Sequence, residues 1–155
     1  MVDTGVFYAY FDRKDTHHLS SAALLYHCIE GRFGTPFTSD YVVLEATLLI
    51  QRKIGDNACL AFLDFLRDSG IRTIAVDQEN YERALETMRE NFPRLSMCDA
   101  ATIVLLNSLG ILSLASYDER SFQGMVHDVR GSNYFDSLAK PDQALVRSKI
   151  LGKKS

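Results

Sequence analysis

Nothing in this chain is spaced like a linker, a disulfide framework or a membrane anchor. Three prolines and nine glycines in 155 residues leave no Pro/Gly/Ser-rich stretch. With 46% apolar and 24% charged residues, the composition also excludes disordered and collagen-like chains. The longest apolar runs, such as Leu48-Leu49-Ile50 and Ile103-Val104-Leu105-Leu106, fall far short of the roughly 20 residues a spanning helix needs. Cys28, Cys59 and Cys98 are odd in number and form no CxxC, which excludes a disulfide framework and a thiolate zinc site. They read as buried thiols in a reducing, cytoplasmic compartment. Asp3 falls where a secretory leader would begin its basic and apolar regions, so no leader is read. Missing too are a Gly-rich phosphate loop, a GxSxG elbow, and any metal-ligand spacing among His17, His18, His27 and His127. His17 and His18 read as solvent-facing first-turn residues and His27 as a helix-surface residue.

What is present is one domain's worth of sequence with a core of its own. Its net charge of −3 is unevenly spread. Met1 to Glu119 carries 10 Lys/Arg against 17 Asp/Glu, whereas Arg120 to Ser155 carries 7 against 3. An acidic body with a basic tail fits a cation site beside a patch for a polyanion.

Periodicity predicts helices over Gly5 to Phe11, His17 to Glu30, Ser39 to Lys53, Asn57 to Arg67, Asp77 to Asn91, Ser96 to Asn107 and Pro141 to Leu151. Short extended pieces fall at Thr35 to Thr38, Ile71 to Val76 and Ile111 to Ala115. Strands alternating with helices argue an α/β domain whose parallel sheet is covered on both faces. Residues 1–135 form the body of this domain, and 136–155 its basic C-terminal helix and tail. Ligands of such sheets bind outside the carboxyl ends of the strands. Phe7, Tyr8, Tyr10 and Phe11, clustered near the start, read as core or dimer contact.

Acids in apolar surroundings are the informative residues. Glu45 sits within Tyr41 to Ile50, a helix apolar on nearly every side, where an ionised carboxylate calls for a cation. Asp99 opens a helix behind Ser96, in the S-x-x-D capping pattern. Asp118 follows the Ile111 to Ala115 strand directly, and Asp3 follows Met1-Val2. Asp77 also ends a strand, but a polar helix comes at once and makes it an N-cap. Four acids gathered at one sheet edge would repel unless divalent cations neutralised them. All-oxygen ligation favours Mg²⁺ or Mn²⁺ over zinc. Such a site can activate a water and stabilise the leaving oxygen in phosphodiester cleavage. Asp3-Thr4-Gly5 also spells the aspartic-protease triplet, but that reading needs an all-β dimer, which the helical periodicity opposes.

Asp3-Thr4, Asp15-Thr16-His17-His18, Val43-Leu44-Glu45, Cys98-Asp99-Ala100 and Ser116-Tyr117-Asp118-Glu119-Arg120-Ser121-Phe122 together resemble the PIN domain, most closely its small stand-alone VapC-like toxin ribonucleases. The resemblance covers Met1 to Phe122 in order and spacing. Family members usually carry a longer apolar strand before the first Asp, where this chain has only Met1 and Val2.

The resemblance implies a three-layer α/β/α fold and a Mg²⁺- or Mn²⁺-dependent endoribonuclease. It implies that Asp3, Glu45, Asp99 and Asp118 are the catalytic and metal-binding acids, with Ser116 as a supporting hydroxyl. Thr4 would hold the first Asp, and Asp15 is a further supporting candidate. It also implies an RNA substrate, an antitoxin protein and a homodimer. The alternative is a catalytically weak PIN-like binding module within an RNA-processing assembly.

Overall fold

The computed structural model describes residues 1–151. In chain order the elements are α1 (Thr4–Phe11), α2 (His18–Ile29), β1 (Phe37–Ser39), α3 (Asp40–Lys53), α4 (Asp56–Asp68), β2 (Arg72–Ile74), α5 (Gln78–Glu90), α6 (Met97–Ser108), β3 (Ser113–Ala115), α7 (Glu119–Phe122), β4 (Asp128–Arg130), α8 (Tyr134–Ser137) and α9 (Lys140–Leu151). The longer helices start where their capping residues predict. Ser39 accepts from the Val42 amide, Asp77 accepts from the Asn80 amide, and Ser96 forms a capping box with Asp99. No helix among the described residues is long and apolar enough to cross a membrane.

β1 pairs in parallel with β2, from Phe37↔Arg72 to Ser39↔Ile74, and β3 with β4, from Ser113↔Asp128 to Ala115↔Arg130. Met1–Asp3 joins the two pairs. The Val2 amide donates to the Phe37 carbonyl at 2.9 Å, and the Ala115 amide to the Met1 carbonyl at 2.9 Å. The Asp3 amide in turn donates to the Ala115 carbonyl at 3.0 Å. The strand that precedes the first acid is therefore present in its shortest form, with Val2 bridged in parallel to Ala115. The Thr38 hydroxyl donates to the Val2 carbonyl at 2.9 Å and closes the join from the β1 side.

Helices cover both faces of this sheet. One buried cluster unites Val6, Phe7, Leu25, Val42, Ile50 and Phe62 from α1 to α4, and another unites Leu95, Ile103, Leu106, Leu114 and Phe122. Phe7 is fully buried against the rings of Phe62 and Phe65, which places it in the core. α9 seats Val146 against Ala22, Ala23 and Phe135. Cys28, Cys59 and Cys98 are buried free thiols.

Three expectations need correction. The strands at 71–76 and 111–115 shrink to three residues each, because runs of apolar and β-branched residues do not mark where pairing stops. α7, β4 and α8 lie in a stretch with no readable period, since elements of three or four residues are too short to show one. Finally, His27 is buried rather than on a helix surface. Its Nδ1 pairs with the Tyr134 hydroxyl at 2.8 Å, contributed by the unpredicted α8. Lys153 and Lys154, the end of the basic tail, lie outside the described residues.

Candidate functional site

The acids meet at the carboxyl edge of the sheet, each delivered by a different element. Asp3 leaves the central segment, Glu45 projects from the second turn of α3, Asp99 stands in the first turn of α6, and Asp118 follows β3 and precedes α7. With Thr4, Gly5, Ser96 and Tyr117 they line a hollow of about 510 Å³. α1, α6 and α7 all begin beside it. The positive ends of two full helix dipoles, α1 and α6, therefore face the carboxylates and favour negative charge there.

Each carboxylate has a hydrogen-bond partner, Asp3 and Glu45 from a different element and Asp99 and Asp118 from the start of their own helix. The Ser116 hydroxyl donates to Asp3 Oδ2 at 2.6 Å and accepts from the Asp118 amide at 3.1 Å, so one hydroxyl ties two of the acids. The Thr4 hydroxyl donates to Glu45 Oε2 at 2.5 Å. Asp99 Oδ2 accepts from the Ser96 amide at 2.8 Å. Asp118 accepts from the Ser121 amide at 2.9 Å and the Ser121 hydroxyl at 2.6 Å. Asp3, although it stands at the N-cap of α1, makes no side-chain cap bond. Asp99 and Asp118 cap their helices and face the hollow as well, so the two roles coexist.

Burial is graded across the group. Asp3 is 7% exposed, Asp99 half-buried, and Glu45 and Asp118 exposed. Burial pushes the Asp3 carboxyl up to about 6, against the Ser116 and Thr4 hydrogen bonds that favour its charged form, and the charges of Asp99 and Glu45 add to the rise. Asp99 is raised by burial first and by Asp118 and Glu45 after it. Burial first, then the charges of Glu45, Asp3 and Asp99, drive the Cys98 thiol strongly upward. Among the described residues no Lys or Arg forms an ion pair with any of the four acids. Nor are any three of them close enough together to hold an ion outright among the described residues.

Several expectations change here. Glu45 is not a carboxylate forced into an apolar interior. Only Val42, Ala46 and Ile50 of α3 are buried, while Leu44 and Leu48 are exposed at 62% and 58%. The run Tyr41 to Ile50 reads as apolar all round because leucines occupy the solvent side too. Thr4 holds Glu45 rather than the adjacent Asp3, because the first turn of α1 packs against α3. Asp15 stays outside the group and accepts from the His17 amide at 2.7 Å in the turn before α2. His17 is half-buried and stacked on Tyr117 with ring centres 4.1 Å apart, and His18 Nδ1 pairs with the Ala9 carbonyl at 3.0 Å. Two site residues escape the sequence reading. Tyr117 walls the hollow without any local signal. Ser121 holds Asp118, and the capping pattern Asp118-Glu119-Arg120-Ser121 is the signal that points to it.

Comparison with known proteins finds relatives of this chain. A VapC ribonuclease of Archaeoglobus fulgidus is 31% identical over 158 aligned positions, spanning 99% of this chain and 96% of that protein. Ribonuclease VapC26 of Mycobacterium tuberculosis is 26% identical, over 81% of this chain and 90% of its own. The crystal structure of M. tuberculosis VapC20, a sarcin-ricin loop cleaving toxin, superposes with a TM-score of 0.70 at 23% identity, covering 81% of this chain and 95% of that one, a likeness of fold. The PIN domain pattern itself matches residues 1–126. That span runs from the central segment through α7 and takes in every acid at the sheet edge, and the chain belongs to the PIN-domain family.

Proposed function

We propose that this chain is an endoribonuclease that hydrolyses RNA phosphodiester bonds, using a hard divalent cation, Mg²⁺ or Mn²⁺, at Asp3, Glu45, Asp99 and Asp118. The observation that carries this reading is the uncompensated acidic hollow. Four carboxylates face one space with no basic partner among the described residues, and the most buried of them is pushed up to about 6. The donor set is all oxygen, the chemistry that suits Mg²⁺ and Mn²⁺.

A divalent cation bound there supplies Lewis-acid activation of water and offsets charge on the leaving oxygen. The chain's own residues prepare that work. Ser116 fixes the Asp3 carboxylate and the Asp118 backbone together, so the central segment and the β3 exit cannot drift apart. Thr4 holds Glu45 by Oε2, and the capping-box bond to Asp99 engages Oδ2 alone, while both oxygens of Asp118 accept from Ser121. Partner groups of this kind support metal affinity by about 10–100-fold. Bare, the hollow repels a phosphate backbone; once the acids are neutralised it admits one, and a splayed single strand or loop fits such an edge site better than a duplex. An antitoxin that covers the hollow, which the toxin relative supports, together with a homodimer and a cytoplasmic setting, completes the reading.

The test is cleavage of a mixed-sequence single-stranded RNA with Mn²⁺, with Mg²⁺ and with EDTA, beside Asp99→Asn. Asn keeps a side-chain oxygen that can accept from the Ser96 amide, and Ser96 still caps α6, so the variant keeps the helix start while losing the charge. Metal-dependent cutting by the wild type alone is the expected result. Equal cutting by both proteins overturns the site. Divalent-ion binding with no cleavage of any RNA moves the chain to a binding role.

A further inference from the structure

We propose that Gly131 is a positioning residue for the acidic site, acting through Ser116. It lies beyond residue 126, where the family match stops, and directly after β4. Its backbone is not left-handed, so conformational freedom does not call for glycine at this position. Space does. A Cβ at 131 would stand 1.9 Å from the Ser116 carbonyl oxygen, 2.7 Å from its carbonyl carbon and 3.0 Å from Tyr117 Cδ1. The first two are backbone atoms and cannot swing aside as a side chain would.

The close approach is a result of the sheet. The register Ala115↔Arg130 ends β3 and β4 together, and the Ser116 amide donates to the Arg130 carbonyl at 3.0 Å. Ser116 and Gly131 are therefore the next facing pair, and both are buried. Tyr117 closes the line of retreat. Its ring is stacked on His17, its hydroxyl pairs with Ser21 at 2.7 Å, and its Cδ2 would stand 3.6 Å from a Cβ at Gly5. A side chain at 131 must therefore push Ser116 itself. The Ser116 hydroxyl holds Asp3 and the Asp118 amide, so the displacement reaches two of the four acids at once.

The proposal rests on the nuclease reading only for its activity readout; cation binding tests it separately. Thermal melts, Mn²⁺ affinity by electron paramagnetic resonance of the free ion, and RNA cleavage are measured for the wild type, Gly131→Ala, Ser116→Ala, the double variant and Gly110→Ala. Gly110 is the control for losing a glycine, since it has φ +64° and an added methyl would meet no atom within 4 Å. Gly131→Ala is expected to melt cooperatively and to lose at least tenfold in Mn²⁺ affinity and in cleavage. The double variant is expected to bind Mn²⁺ no more weakly than Ser116→Ala alone, the mark of two residues acting on one link. Gly110→Ala is expected to lose stability and keep its Mn²⁺ affinity.

Gly131→Ala binding Mn²⁺ within twofold of the wild type overturns the proposal. So does an equally large loss in the Ser116→Ala background, or a Gly131→Ala chain that stays unfolded even in 1 M trimethylamine N-oxide, which would make the glycine a requirement of the fold and not of the site. A wild type that binds Mn²⁺ but cuts no RNA sinks the nuclease reading and leaves the Gly131 comparison decisive. A wild type that binds no Mn²⁺ sinks both.

Discussion

The two ends of the parallel sheet carry hollows of comparable size, about 510 Å³ at the carboxyl edge and about 440 Å³ at the amino edge. The first is lined by carboxylates and hydroxyls. The second is lined chiefly by Met1, Leu24, Cys28, Phe37 and Leu114, with Arg130 at its side. The difference arises where the chain enters and leaves each strand. Past their carboxyl ends, the central segment and β3 run straight into Asp3-Thr4 and Ser116-Tyr117-Asp118, and two full helix N-termini point the same way. At the amino end the chain arrives through Gly34-Thr35-Pro36 and Gly110-Ile111-Leu112, and the acid there, Asp128 at the start of β4, is paired with Arg130 and Ser113. There the Met1 amine donates to the Ser113 carbonyl at 3.1 Å, and burial lowers its pKa. A hollow of this volume is therefore not itself a site in this fold; convergent charge without a counter-charge is what distinguishes one edge from the other.

The largest effect that would sharpen this contrast is on catalysis. Asp3→Asn is expected to reduce metal-dependent RNA cleavage by about 10³-fold, the upper range for removing one preorganised electrostatic group. Single-turnover cleavage in Mn²⁺ measures it, and a loss under threefold would break the contrast. Next come the hydroxyls. Thr4→Ala and Ser116→Ala are each expected to weaken Mn²⁺ binding by about 10–100-fold, read by titration of the free ion.

A third expectation concerns stability without metal. The Asp3 carboxyl is raised from 3.8 to about 6 by burial, so the folded chain holds that proton more tightly than the unfolded one. Its contribution is present below about pH 4 and is lost as pH rises through about 6, an effect of up to about 3 kcal/mol. In EDTA at pH 7.5, Asp3→Asn is therefore expected to melt higher than the wild type, with the gap closing at pH 4.5 and reversing when Mn²⁺ is added. A lower melting temperature for the variant in EDTA at pH 7.5 would contradict the account. The smallest effect belongs to the amino edge. Leu112, 62% exposed, is expected to tolerate Leu112→Ser with under about 0.5 kcal/mol of stability lost and cleavage within about twofold of the wild type. A larger fall in cleavage would give the second hollow a functional part.

The helices are legible in the sequence because capping residues and periodicity act over many residues at once. Ser39, Asp77 and Ser96 begin their helices where the sequence places them. The order of the acids is legible too, each at a strand exit or an early helical turn. Burial is not. The Glu45 helix reads as apolar throughout, yet its i, i+4, i+8 set Val42, Ala46 and Ile50 alone faces inward. The hydroxyl pairings are legible only in part. Thr4 adjoins Asp3 in the chain but reaches Glu45 in space, a consequence of how α1 packs on α3 that no local pattern encodes. Gly131 carries no signal at all, since its role depends on the register of two three-residue strands.

Asp3 is settled by partners far away in the chain. Its carboxylate is held by Ser116, 113 positions later, and Ser116 is held in turn by the Arg130 carbonyl. Pairings of such long sequence separation form late, after the intervening chain has closed its loops. During synthesis, therefore, the acidic edge has no completed geometry until β4 has left the ribosome and docked. On the nuclease reading, a site built on Asp3 and Ser116 is therefore complete only once that strand has docked.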